Sequence, residues 1–334
     1  MFANRFPPLL RRQCATLAMA FACAALPGTG AAAAVLTVLM ADESAAHTEF
    51  VRQLRETQEA GSRLELIHLV AGKPAGESVE EDHTATGMRT RGARSVAPAD
   101  VPITMAVGVD AARTAIERPG QEPLVLAMLS RLDYESLKGN PSLRRPERWV
   151  GVLLREPAMA DQIALIDAVM PQRRRLGVVA TSESEPMVRE LQRAANGWDL
   201  QVEYAPDAKA LATVLRRLVP RSDALMVLPD LIGDSQPATL AVLRAGASAG
   251  LPVFGTSDGL VRSGGLAAAV STPTQLAQQA RLLGLKLASN TAAGGVLVEC
   301  ATPSTVRVNP TVARGLGMRL PEERELTERV TAIR

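Results

Sequence analysis

The stretch ITMAVGVDAARTAIERPGQEPLVLAML, residues 103–129, decides the fold class. Ile103–Val107 is an apolar run of strand length, Gly108 breaks it, and a helix follows over Asp110–Glu117. Pro123–Leu129 then returns as a second apolar strand. Strands that are apolar on both faces and alternate with amphipathic helices signal a parallel sheet covered by helices on both sides. The chain is therefore read as α/β.

The same rhythm extends in both directions. Upstream, Val35–Met40 reads as a strand, His47–Glu59 as a helix with Phe50, Val51 and Leu54 on one face, and Leu64–Val70 as a strand. Residues 71–102 lose the periodicity and read as a long loop or a poorly formed helix. Downstream of a polar stretch holding Arg131, Asp133, Tyr134 and Lys138, a strand is expected over Trp149–Leu154. Five more follow, over Leu176–Ala180, Leu200–Tyr204, Ala224–Leu228, Pro252–Phe254 and Leu266–Val270. Helices are expected over Glu185–Asn196, Ala208–Leu218, Pro237–Ala249 and Pro273–Ala288. Two such sets imply two Rossmann-like lobes. The expected division gives 34–172 to the first lobe, with 273–290 returning to it, and 173–272 with 291–334 to the second.

The first 33 residues read as an export signal. Arg5, Arg11 and Arg12 precede an uncharged apolar run, Cys14–Leu26, which is too short to span a bilayer, and small residues follow at Ala31–Ala34. The protein is thus expected in the periplasm. Lipidation at Cys23 is disfavoured by the bulky Phe21 before it. Removing the signal would leave Cys300 as the sole cysteine, so no internal disulfide is expected. The net charge of +2 includes the three signal arginines. With scattered cations and 3% aromatic residues, no nucleic-acid surface is expected.

Several chemistries fail on inspection. Gly255-Thr256-Ser257-Asp258-Gly259 matches the G-x-S-x-G elbow of hydrolases, but Leu260–Gly265 reads as a loop where the elbow needs a helix. The three histidines, His47, His68 and His83, also all precede the serine. Gly72-Lys73 is followed by Pro74, which removes the magnesium-binding hydroxyl of a phosphate loop, and no G-x-G-x-x-G follows a strand. His68 reads as a satisfied, semi-buried strand residue. No metal site and no cofactor is expected.

What remains are polar residues just after strands, where ligands bind in open parallel sheets. The candidate ligand-binding residues are Asp42, Ser44, Gly108, Asp110, Ser130, Tyr134, Thr181, Ser182, Asp230 and Thr256. Each has a plainer reading as a helix cap or turn residue.

From Ile103 onward the sequence resembles the substrate-binding proteins of ABC transporters, in the type I periplasmic-binding fold and the branch that includes tryptophan-binding members. The resemblance rests on ITMAVGVDAA at 103–112, the strand at 123–129, and Val150-Gly151-Val152 with the helix to Met170-Pro171 and RRLGVV at 174–179. It continues through DALMVLPD at 223–230 with Leu251–Phe254, and closes on NPTVARGLGMRLP at 309–321. Residues 71–102 stand where relatives carry a regular second helix. The resemblance implies a non-catalytic, monomeric protein whose lobes close on a small, amino-acid-like solute and present it to a membrane permease. Amino-acid-binding relatives imply an acidic residue for the ammonium, here Asp230, and hydroxyl and backbone groups for the carboxylate, here Ser130 and Gly108. Tryptophan is not the expected ligand, because Tyr134 is the one aromatic placed near the cleft. Rival readings are a sensor module of the same fold, a docking protein without a ligand, and an enzyme using the cleft, for which no carboxylate pair is evident.

Overall fold

The computed structural model describes residues 35–58, 63–69, 101–289 and 294–332. The expected export signal and all but the last two residues of the irregular 71–102 stretch lie outside the described residues.

The first lobe is built on β1 (Val35–Met40), α1 (Ala45–Glu56), β2 (Arg63–His68), β3 (Ile103–Val107), α2 (Val109–Glu117), β4 (Leu124–Leu129), α3 (Arg131–Leu137) and β5 (Val150–Pro157). Every residue of β4 is buried, as expected for the centre of a parallel sheet covered on both faces. The chain then crosses to the second lobe. There it forms α4 (Met159–Val169), β6 (Arg175–Ala180), α5 (Glu185–Ala194), β7 (Asp199–Tyr204), α6 (Ala208–Leu218) and β8 (Ala224–Val227). The second lobe continues with α7 (Leu231–Asp234), α8 (Gln236–Ala249), β9 (Val253–Phe254), α9 (Asp258–Arg262) and β10 (Ala267–Val270). A second crossing leads to α10 (Pro273–Ala288) and β11 (Val296–Ala301), and a third to β12 (Thr305–Val308), α11 (Pro310–Gly315) and α12 (Glu323–Thr331).

The first sheet has the order β11-β5-β4-β3-β1-β2, and all its pairings are parallel. The second has the order β12-β10-β9-β8-β6-β7, parallel except for antiparallel β12. On one face of the first sheet, α1 and α10 pack over Val38, Met105 and Val125. On the other face lie Ala111, Ile116 and Leu137 of α2 and α3. Gly151 lets α10 lie close on β5, since a Cβ there would come within 2.8 Å of Leu283 Cγ.

Three boundaries differ from the sequence reading. Helix α4 was expected to end the first lobe, but its Met159, Ile163, Leu165 and Ile166 fill the second-lobe core beside Met187, Trp198 and Leu326. So apolar a helix must be covered on several sides, and the second lobe supplies that cover. Strand β11 was expected in the second lobe but pairs in parallel with β5, from Val296 opposite Val150. Leu260–Gly265 was expected as a loop, yet α9 spans Asp258–Arg262, with the Ser257 hydroxyl accepting from Leu260 N–H at 3.2 Å. The serine of the apparent hydrolase motif is thus a helix cap.

The crossings are stitched to one another. Ser271 Oγ donates to the Thr302 carbonyl at 2.6 Å, Ser304 N–H donates to the Val270 carbonyl at 2.9 Å, and Thr272 N–H donates to Ser304 Oγ at 3.0 Å. The second and third crossings are therefore bonded to each other in one hinge band.

Candidate functional site

A cleft of about 380 Å³ lies between the lobes, within the range of small-molecule sites. The first lobe contributes Met128, Arg155, Glu156 and Pro157, and the hinge band contributes Ser271, Thr272 and Pro273. The second lobe contributes the ends of β8 and β9 with the turns that follow, including Asp234, Thr256 and Asp258, and Arg307 of β12. Met128 has φ +60° inside a strand, where β4 and β5 shift register between Leu126 and Leu129. A left-handed backbone on a methionine is held only when its surroundings over-determine it, and such strain concentrates at binding sites.

The cleft's charges are arranged in pairs. Arg155 Nε donates to Glu156 Oε1 at 2.8 Å, and its Nη2 lies 4.0 Å from Asp234 of the opposite lobe. Burial works against the Arg155 charge, but Glu156, Asp234 and Asp133 more than offset it and raise its pKa. Burial pushes the Glu156 carboxyl above its ordinary range, although Arg155 and the Arg131 N–H, which donates at 3.2 Å, oppose the shift. Arg307 lies 3.8 Å from Asp258 and 3.5 Å from Glu323. Arg155 and Arg307, one from each lobe, thus both line the cleft, Arg155 anchored through Nε on Glu156 and Arg307 only by contacts of 3.5 Å or more.

The residues expected from sequence fall into separate groups. Thr256 lines the cleft. Asp42, Ser44 and Gly108 gather around His47 at the ends of β1 and β3. Asp42 Oδ1 accepts from Ser44 N–H at 3.0 Å and pairs with His47 Nδ1 at 2.8 Å, while Ser44 caps α1. Gly108 has φ +82°, and a Cβ on it would come within 2.6 Å of His47 Cε1. Thr181 and Asp230 are joined through Ser184, whose hydroxyl contacts Thr181 Oγ1 at 2.8 Å and donates to Asp230. Asp230 is fully buried and caps α7, accepting from Ile232 and Gly233 N–H at 2.9 and 3.1 Å. Burial raises its pKa against those three donors.

Ser130 is buried and forms a capping box with Asp133 at the start of α3. Asp110 and Ser182 are exposed, Asp110 lying 3.4 Å from Arg113, and Tyr134 packs half-buried against the first-lobe core. His68 is half-exposed at the end of β2, 3.6 Å from Glu43, rather than satisfied within the strand. Arg155, Glu156, Asp234 and Arg307 were not foreseen. The signal for the first two was present, since Arg155-Glu156-Pro157 follows an apolar strand directly. Among the described residues no group of three or more His, Cys, Asp or Glu side chains could hold a metal ion, and no helix is long and apolar enough to cross a membrane.

Two α/β lobes with parallel-dominated sheets, joined by three crossings over a cleft, are the architecture of type I periplasmic-binding proteins. Residues 93–328 match the model of the ABC transporter substrate binding proteins, and the chain belongs to that family. Three solved structures share the fold. An ABC domain in complex with L-Trp from Streptococcus pneumonia is 18% identical, covers 87% of this chain and 96% of its own, and has a TM-score of 0.52. A ligand-free, open substrate binding protein with adhesive properties from Clostridium difficile is 16% identical over 86% and 96%, with a TM-score of 0.61. A conserved domain protein from Vibrio cholerae is 19% identical over 89% and 98%, with a TM-score of 0.53. No curated protein matches the chain.

Proposed function

We propose that this protein is a periplasmic solute-binding protein that closes its two lobes on a small molecule in the cleft and presents it to an ABC transporter permease. The observation that carries this reading is the cleft itself, about 380 Å³, walled by both lobes and floored by the stitched hinge band. A solute there would touch both lobes at once, so its binding energy would favour the closed arrangement. Arg155 and Arg307 offer cations and Asp234 and Asp258 offer anions, which suits a small dipolar or amino-acid-like solute. Among the described residues no aromatic side chain lines the cleft, so an indole would find no stacking partner. Thr256 is retained as a ligand contact, while Asp230 and Ser130 are read as caps that hold the turns beside it.

The test is a thermal-shift screen of the purified protein against amino acids, organic acids, nucleosides and sugars. A solute at 100 times its Kd adds about 2.7 kcal/mol to stability. The expected result is a rise with one chemical class that Arg155→Ala and Thr256→Ala each reduce. A rise unchanged in both variants would put the solute elsewhere and sink the assignment.

A further inference from the structure

Among the described residues two ion pairs join the lobes, and they flank the first sheet on opposite faces. Arg155–Asp234 lies in the cleft beside Leu276 of α10, at 4.0 Å. Arg131–Glu190 links α3 to α5 at 2.6 Å, in a separate groove that shares no lining residue with the cleft. Helices α10 and α3 cover opposite faces of the first sheet. The two pairs are connected by buried Glu156, which accepts from Arg155 Nε through one oxygen and from Arg131 N–H through the other.

Glu190 does more than hold Arg131. Its second oxygen accepts from Met159 N–H at 3.1 Å. Met159 opens α4 directly after the first crossing, and the residue before it, Ala158, offers no side-chain cap. One carboxylate of the second lobe therefore caps the helix that follows the hinge and grips the first lobe. Arg131 and Glu190 are each 20% exposed, whereas surface pairs such as Arg324–Glu328 are 88% and 65% exposed. Exposed pairs contribute almost nothing, but a half-buried pair keeps much of its Coulomb attraction.

We propose that Arg131–Glu190 is an interlobe latch that opposes Arg155–Asp234 across the hinge, so that making one pair loosens the other. A rotation about the crossings that brings Asp234 into hydrogen-bond distance of Arg155 narrows the cleft. The same rotation draws Glu190 away from Arg131 on the far face. The inference deepens the lobe-closure reading, yet its test requires no solute, so the two fail separately.

Spin labels on genetically encoded ketone residues at Gln236 and Gln278, exposed positions on α8 and α10, report the interlobe distance by pulsed dipolar spectroscopy in the full chain. Glu190→Gln keeps an acceptor for Met159 N–H and removes the charge facing Arg131. It is expected to raise the short-distance population roughly fivefold. Asp234→Asn is expected to move the distribution the opposite way. If either variant matches the parent, or both move in one direction, the latch is overturned. Should Glu190→Gln not fold, Arg131→Gln leaves the Met159 cap in place and gives the same reading, with the same outcomes deciding.

Discussion

Replacing Asp230 with alanine separates a structural carboxylate from a ligand-binding one. Asp230 is fully buried and accepts from Ser184 Oγ, Ile232 N–H and Gly233 N–H, so Asp230→Ala strands three donors inside the second lobe. Hydrogen bonds to a charged group contribute about 1.5–3 kcal/mol each. They are not additive, and the variant also escapes the burial cost that raises the Asp230 pKa. A net loss of about 3 kcal/mol follows. With an unfolding entropy of about 2.1 cal/mol/K per residue, that lowers Tm by about 10 °C if the second lobe unfolds by itself and about 5 °C if both lobes unfold together. Differential scanning calorimetry distinguishes the two cases, because in the first only one of two transitions moves. Asp230→Asn keeps an acceptor for the α7 amides and should lose roughly half as much. The reasoning fails if Asp230→Ala leaves Tm within about 1 °C of the parent while abolishing a solute-induced shift. That result would make Asp230 a ligand contact and not a cap.

Two further perturbations follow from the geometry. Gly108→Ala combines φ +82° with a Cβ 2.6 Å from His47 Cε1 and should cost about 2–3 kcal/mol in urea unfolding; His47→Ala in the same chain relieves the clash and recovers part of it, leaving the backbone strain. At Asp223 the bonds from Arg175 Nε and Nη2, with N–H groups of Arg174 and Arg175, hold the carboxyl down from 3.8 to about 2. A depressed acid stabilises the fold fully above its unfolded value and loses that contribution as pH falls through the folded one. The loss should thus fall between about pH 4 and pH 2 and amount to about 1 kcal/mol after solvent screening. Asp223→Asn is expected to remove this portion of the acid limb of stability against pH.

Strands buried on both faces were legible because burial leaves them no polar residue: LVLAML at β4 and ALMV at β8 can be little else. Strands β11 and β12 were not. They sit at sheet edges, where one side meets solvent, so Glu299 and Arg307 interrupt their apolar pattern. The ownership of α4 was hidden for a different reason. Its sequence says that it is buried, whereas which core receives it depends on the path of the chain at Ala158. The site divided in the same way. The residues just after strands include Thr256, which lines the cleft, and caps such as Ser130 and Asp230, which share its place in the pattern but do not line the cleft. Arg155, Glu156 and Arg307 become neighbours only once three crossings converge, a fact of topology that local pattern does not carry.

The threading of the chain also bears on its synthesis. The first lobe is begun at β1, but its edge strand β11 and the helix α10 that covers one face come from residues 273–301. Most of the second lobe's sheet, β6 to β10, precedes in the chain the helix α10 that shares with α1 the cover of Val38, Met105 and Val125. The first lobe therefore cannot be completed before α10 and β11 are present, which works against the usual order in which the N-terminal unit folds first. A chain ending near residue 270 would leave that face covered by α1 alone, and the gap would close only once residues 273–301 are present.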